Sequence, residues 1–360
     1  MPPSLISLLK TASGDQSNFD LIDLRDAEIR WAITTGLGPL LFRAIAGGPI
    51  SYDPALATAL KATDLTARTE TGDKFDAMCE IIDACGEAVP PLVLLKGIST
   101  CTQYYPEPHL RTMADIDFLV EDRFIEAVES VLYNLGYNRP STKPSAFYQS
   151  HHHTAPFYDP RRHVWVDIHR RLLSRATKSA QAEVFSPENL AKELQPSQFQ
   201  GRPVRRLSPE LQILYTSAHW AQQLQTNRGL MAMLDIIYII KNAGHELDWP
   251  KIIQWVKLSP AAIQICLLLA YLAHHEVVAI DGDVVGRLTS ADGAFLKERL
   301  SLLFWLTDRY IVEGRPFDLI FSARNVNIIW QTLVSAESLQ QVLFLLPLRL
   351  ILPYRPRADI

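Results

Sequence analysis

The sequence predicts a mostly helical α+β fold, with a small α/β centre held between two helical regions. Three observations carry this. Short apolar runs that read as buried strands, at Leu92–Leu95, Asp115–Val120 and His163–His169, all fall between residues 89 and 206. Helical spacing dominates residues 1–88. It returns at Ser208 and continues through about residue 352 with no clear strand. The chain therefore divides into an N-terminal helical region (1–88), an α/β core (89–206) and a C-terminal helical domain (207–360).

The elements follow in order. Asp26 to Phe42 places Ile29, Ala32, Ile33, Leu37, Leu40 and Leu41 at helical spacing, punctuated by Gly36, Gly38 and Pro39. Lys74 to Cys85 repeats that spacing through Phe75, Met78, Ile81 and Ile82, and Pro90 and Pro91 end it. Phe124 to Leu135 is an amphipathic helix closed by Gly136, a residue suited to the left-handed position after a helix. Ser208-Pro209 is a helix start, with Ser as cap and Pro in the first turn. The apolar run Ala261–Ile280 is interrupted by His274, His275 and Glu276 before it reaches the ~20 residues a span needs, so it reads as a buried helix. A second run, residues 342–353, is broken by Pro347 and Arg349. It is too short to span and reads as a packing helix. A membrane-surface contact through 342–357, using Arg349, Arg355 and Arg357, is the alternative.

Composition excludes several classes. With 48 % hydrophobic and 21 % charged residues the chain is globular, neither disordered nor fibrous. A net charge of −4, from 35 basic against 39 acidic residues, excludes a polycation that coats nucleic acid. The charge is segregated, however. Glu107 to Glu129 holds seven acids and two bases, whereas Arg139 to Lys178 holds eight bases, two acids and five histidines. That pattern reads as an acidic metal centre beside a basic wall for an anionic substrate, with Arg161 and Arg162 in the wall. Cys79, Cys85, Cys101 and Cys266 form no CxxC pair, which fits a reducing, cytoplasmic location. The first residues show no basic region before a long apolar core, hence no signal peptide.

The chemistry concentrates in Leu92–Asp122. Alternation along a strand puts Asp115 and Asp117 on one face, about 6–7 Å apart, and Ile116, Phe118 and Val120 on the other. Two carboxylates so placed can converge on a pair of metal ions. In Val164–His169 the side chains of Trp165, Asp167 and His169 share a face. If that strand lies beside Asp115–Val120, Asp167 completes an acidic triad. His169 then orients that carboxylate, touches substrate, or is simply hydrogen-bonded. Upstream, Lys96-Gly97-Ile98-Ser99 turns from strand to helix, where backbone N–H groups and a hydroxyl meet phosphate oxygens. Lys96 and Arg111 add charge for a triphosphate.

Other residues have plainer readings. His151, His152 and His153, taken as an extended segment, cannot all face one ion. They read as a phosphate- or acceptor-facing loop or as solvated surface, with zinc binding as a lesser alternative. His219 reads as a core histidine, and Asp235, amid apolar residues, as a buried carboxylate that needs a partner.

LLKG, YYPEPHLRTMADIDFLV, the HH stretch and the VDIH strand together resemble a poorly characterised bacterial nucleotidyltransferase family of the polymerase-β-like superfamily. The helical texture of GLGPLLFRAI, LSPELQILYTSAHW and GLMAMLDIIYII is similar too. The resemblance implies a short mixed sheet flanked by helices. It implies metal binding by Asp115, Asp117 and Asp167, and a phosphate-holding element at Gly97 and Ser99. The superfamily's adjacent Gly-Ser pair reads Gly97-Ile98-Ser99 here. The implied activity is transfer of a nucleoside monophosphate from an NTP, such as ATP, to a hydroxyl or phosphate of a small molecule or modified peptide, with release of pyrophosphate. Two Mg²⁺ ions, or Mn²⁺, are the expected cofactors. A catalytically silent nucleotide-binding, regulatory or antitoxin-like module is the alternative. Long nucleic acid is not expected, because no extended basic stripe lies outside 139–178. The chain also lacks Walker-type and protein-kinase motifs.

Overall fold

The computed structural model describes residues 26–45, 53–140, 148, 151–175, 177–222, 229–290, 294–312 and 322–351. These residues form fourteen α-helices and one mixed six-stranded sheet, an α+β fold that is mostly helical.

The N-terminal part holds α1 (Asp26–Thr34), α2 (Gly38–Ile45) and the long α3 (Pro54–Cys85). Asp53 caps α3 by accepting from the Ala55 N–H at 2.9 Å, with Pro54 in the first turn. The strands are β1 (Val93–Leu94), β2 (Asp115–Leu119), β3 (Phe157–Asp159), β4 (Val164–His169), β5 (Leu194–Phe199) and β6 (Arg202–Leu207), in the spatial order β3-β4-β2-β1-β6-β5. Three helices lie among them: α4 (Lys96–Gln103) after β1, α5 (Ile125–Asn134) after β2 and α6 (Pro187–Glu193) before β5. The expected strand–turn–helix at residues 92–99 is thus β1 and α4, and Gly136 takes φ +88° just beyond α5.

Alternation divides the sheet into two faces with different tasks. Leu94, Ile116, Phe118, Val164, Val166 and Ile168 pack against Met78 and Ile81 of α3 and Val128 and Leu132 of α5, closing one core. Val93, Leu95, Leu119 and Leu207 join a second, larger core. That core is built with α2, α7 (Pro209–Ala221), α8 (Gly229–Ala243) and α10 (Ala262–His274). Asp115, Asp117 and Asp167 stand on this second face. One face of the sheet is therefore mostly apolar, and the other combines apolar packing with the three aspartates.

Ser208 caps α7 by accepting from the Leu211 N–H, with Pro209 following. The remaining helices are α9 (Trp249–Lys257), α11 (Gly282–Thr289), α12 (Ala294–Leu306, continued by a π-helical turn, Thr307–Val312), α13 (Ala323–Ser335) and α14 (Leu339–Ile351). α10 is buried along nearly its whole length, as its predominantly apolar sequence requires. Among the described residues no helix is long and apolar enough to cross a membrane. α14 packs on α13 but leaves Leu343 and Phe344 exposed. Arg355 and Arg357 lie outside the described residues.

Candidate active site

β2 and β4 run parallel with Asp117 paired to Asp167 and Asp115 to Trp165. In a parallel ladder paired residues share a face, so Asp115, Asp117, Asp167 and His169 project the same way. One donor atom each from Asp117, Asp167 and His169 lies within 4.8 Å of the others. Asp117 is buried, and Asp115 and Asp167 are half-buried.

The charge on Asp117 is compensated directly. Lys96 Nζ donates to its Oδ1 at 2.7 Å, and His169 Nε2 lies 2.7 Å from the same oxygen. Burial alone would raise this carboxyl, but Lys96 and His169 outweigh it and hold Asp117 well below the usual carboxylate range. Burial works against the Lys96 ammonium, yet Asp117 holds it firmly protonated. His169 is pushed down by burial and by Lys96, against the pull of Asp117. Lys96 adopts φ +45° at the start of α4, a left-handed value that a side chain strains to occupy.

These groups open on a cavity of about 440 Å³. Its lining includes Lys96, Gly97, Arg111, Asp115, Asp117 and Asp167 from the core, Thr34–Gly36 from the end of α1, Tyr215, Thr216, His219 and Trp220 from α7, and Met231 and Asp235 from α8. Gly97 is a tight fit: an added Cβ would lie 3.1 Å from Met113 Cβ and 3.5 Å from Arg111 Nη1. Burial, with Asp117 and Asp115 nearby, pushes the Tyr215 phenol up, so it stays a hydroxyl at neutral pH.

Four expectations need correcting. Ser99 is not brought to the cavity. Two helical residues span about 200°, so with Gly97 facing the cavity Ser99 faces away. It is fully buried, and its hydroxyl accepts from Gln103 Nε2 at 2.9 Å. Arg111 does reach the cavity, but its guanidinium is held by Asp235, with Nε–Oδ1 at 2.9 Å and Nη2–Oδ2 at 3.0 Å. Thr100 and Tyr105 also donate to Asp235 Oδ1, both at 2.9 Å. Asp235 thus finds the partner its burial demanded, and Arg111 brings a neutralised pair instead of a lone cation for phosphate. Among the described residues, no arginine or lysine of the basic stretch lines the cavity. Arg161 and Arg162 clamp the buried Asp159 at 3.0–3.2 Å and reach Glu80 of α3 at 3.1 and 2.7 Å, while Arg139 pairs with Glu129. These arginines fasten the outer edge of the sheet.

The fourth correction concerns the histidines. Residues 151–152 form a bend and His153 bridges to His169, so the segment is not extended and its three rings converge. His152 and His153 line the cavity, and so does His219, which is half-buried instead of sealed in the core. Tyr215 and His219 carry little local signal because α7 is buried on nearly every side, polar residues included. A polar pair at i, i+4 was the available signal.

A mixed sheet with an Asp-x-Asp strand beside a third aspartate opens here on a cavity next to a strand–Gly–helix turn, an arrangement that fits phosphoryl transfer of the nucleotidyl class. A family model described as "Uncharacterised nucleotidyltransferase" matches residues 25–275, more than half the chain, and the chain belongs to that family. It is an enzyme of nucleotidyl transfer. Comparisons with curated proteins and with solved structures gave no match.

Proposed function

We propose that the enzyme moves a nucleoside monophosphate from an NTP, ATP first among them, to a hydroxyl or phosphate of a small molecule or modified peptide, and releases pyrophosphate. The observation that carries this is the side-by-side pairing of Asp117 and Asp167, with Asp115 two residues away on the same face, at the wall of one cavity. All three offer hard oxygen donors, the chemistry that suits Mg²⁺, with Mn²⁺ able to replace it. Asp115, Asp117 and Asp167 would hold two such ions, which when bound stabilise charge on the α-phosphate and on the leaving pyrophosphate.

The chain's own residues do the rest. Lys96 and His169 fix Asp117 as a carboxylate with both bonds on Oδ1. Gly97 lets Met113 pack closely on the first turn of α4, whose N-terminal N–H groups favour negative charge. The Arg111–Asp235 pair holds the Thr112–Ala114 wall against that turn. Asp167, half-buried and facing the cavity, takes the proton from the acceptor oxygen. The apolar and aromatic side of the cavity, Tyr215, Trp220 and Met231, accommodates the nucleobase or the acceptor. Four free thiols fit a cytoplasmic location, and burial raises three of them, Cys79, Cys85 (to about 11) and Cys101 (to about 12), so they stay protonated.

One observation favours the catalytically silent alternative: Lys96 already supplies a cation to Asp117. The experiment that separates the two uses NTPs labelled at the α- or the γ-phosphate, with Mg²⁺ or Mn²⁺ and a metabolite extract. Transfer predicts α-label on an acceptor and γ-label in pyrophosphate. Nucleotide retained by the protein with no pyrophosphate formed supports the silent module instead.

A further inference from the structure

His151, His152 and His153 each place one ring nitrogen within 4.8 Å of the others. Their ring centres are separated by 6.2 Å (151–152), 5.4 Å (151–153) and 4.8 Å (152–153). Three imidazoles around a tetrahedral ion, with Zn–N bonds of about 2.0–2.1 Å, hold their ring centres roughly 5 Å apart. The observed spacings bracket that value, so small rotations of the side chains close the set.

The backbone explains how consecutive residues converge. The bend at residues 151–152 swings the chain onto the edge of β4, where Thr154 N–H donates to Ile168 O at 2.9 Å and Arg170 N–H to His152 O at 2.8 Å. His153 is thereby fixed opposite His169 and faces the cavity side of the sheet.

The electronic state of the rings favours a cation over a phosphate. His153 Nδ1 lies 2.7 Å from its neighbour's carbonyl, Thr154 O. The proton therefore sits on Nδ1 and the Nε2 lone pair is available, the arrangement that metal-ligating histidines adopt. A bare ring nitrogen offers its electron pair to a cation, not to an anion.

We propose that His151, His152 and His153 bind one Zn²⁺ ion at the cavity wall, next to the aspartate cluster but sharing no ligand with it, with a fourth position open toward the cavity. Three protein nitrogens with an open position are the donor set of a site that takes water or a substrate oxygen. His169 stands between the two centres. Its ring lies 5.2 Å from that of His152 and 5.7 Å from that of His153, but its Nε2 is engaged by Asp117. The carboxylate face thus keeps an oxygen-rich set for Mg²⁺, and the histidines form a nitrogen set that Mg²⁺ does not favour. This inference concerns metal binding alone and stands apart from the nucleotide reading.

The test is zinc content. Full-length protein is stripped with chelator, dialysed against buffered Zn²⁺ and measured by elemental analysis, with affinity read by competition against a chromophoric chelator. One zinc per chain is expected. His152→Asn and His153→Asn should each weaken binding by about a hundredfold or more, while Asp115→Asn/Asp117→Asn should leave it unchanged. Co²⁺ in the wild-type protein should give the intense visible absorption of a four-coordinate site, a readout that needs no variant to fold. The proposal is overturned if the wild type takes up no zinc, if zinc is lost with the aspartates and kept without the histidines, or if Co²⁺ shows a faint six-coordinate spectrum.

Discussion

Asp117 is the residue on which the site's charge converges, and Lys96 is the cation that meets it at 2.7 Å. Lys96→Gly separates two roles of that position. Glycine relieves the left-handed φ, a strain of order 1–3 kcal/mol, but removes the ammonium. Relief of that strain offsets only part of the cost of leaving Asp117 without its ammonium, so a lower melting temperature with loss of transfer is the expected result; unchanged transfer would place Lys96 in a purely structural role. The Arg111–Asp235 pair has no such offset. Asp235→Ala leaves a buried guanidinium uncompensated and should cost about 3–5 kcal/mol in urea unfolding. Asp159 adds a pH dependence. Burial works against its ionised form, but Arg161 and Arg162 outweigh that and hold its carboxyl below the usual range. A carboxyl depressed in the folded state stabilises the fold above its unfolded pKa near 3.9, and that contribution fades as pH falls through the folded value. Urea titrations of wild type and Asp159→Asn should therefore differ most above pH 5 and converge below pH 4.

At the scale of elements, β2 and β4 were legible because period-two apolar residues share one face and aspartates the other. β5 and β6 were not. Pro196, Pro203 and a run of polar residues hide their alternation, and pairing with each other is what makes them strands. The turn at Lys96–Ser99 was legible as a turn, but the helical phase that sends Ser99 away depends on where α4 begins. α3 begins some twenty residues before its apolar spacing becomes regular, because its first half is mostly exposed. The α1–α2 junction carries a further prediction. Gly36 sits at φ +83°, and an added Cβ would lie 2.7 Å from Thr112 Oγ1. Gly36→Ala should lower stability by about 1–3 kcal/mol, read by urea unfolding, and loosen the cavity edge that Thr112 forms.

At the scale of the whole molecule, the segregation of charge was real but its meaning lay in pairings no local pattern displays. Arg111 finds Asp235 124 residues away, and Arg162 finds Glu80 82 residues away. The near-neutral total thus reflects arginines matched to distant acids, with the aspartates of β2 and β4 gathered at one cavity. Apolar residues of α2, the sheet and α7, α8 and α10 share one core, so the C-terminal helices form the roof of the site. Residues 1–207 produced alone should fail to fold, as read by circular dichroism and solubility. The central claim is that Asp115 and Asp117 carry nucleotidyl transfer. Transfer of α-labelled nucleotide by Asp115→Asn/Asp117→Asn, with its melting temperature recorded alongside, tests it most directly. The account predicts a folded protein whose transfer falls by about a thousandfold or more; a folded double variant that transfers label at the wild-type rate would contradict it.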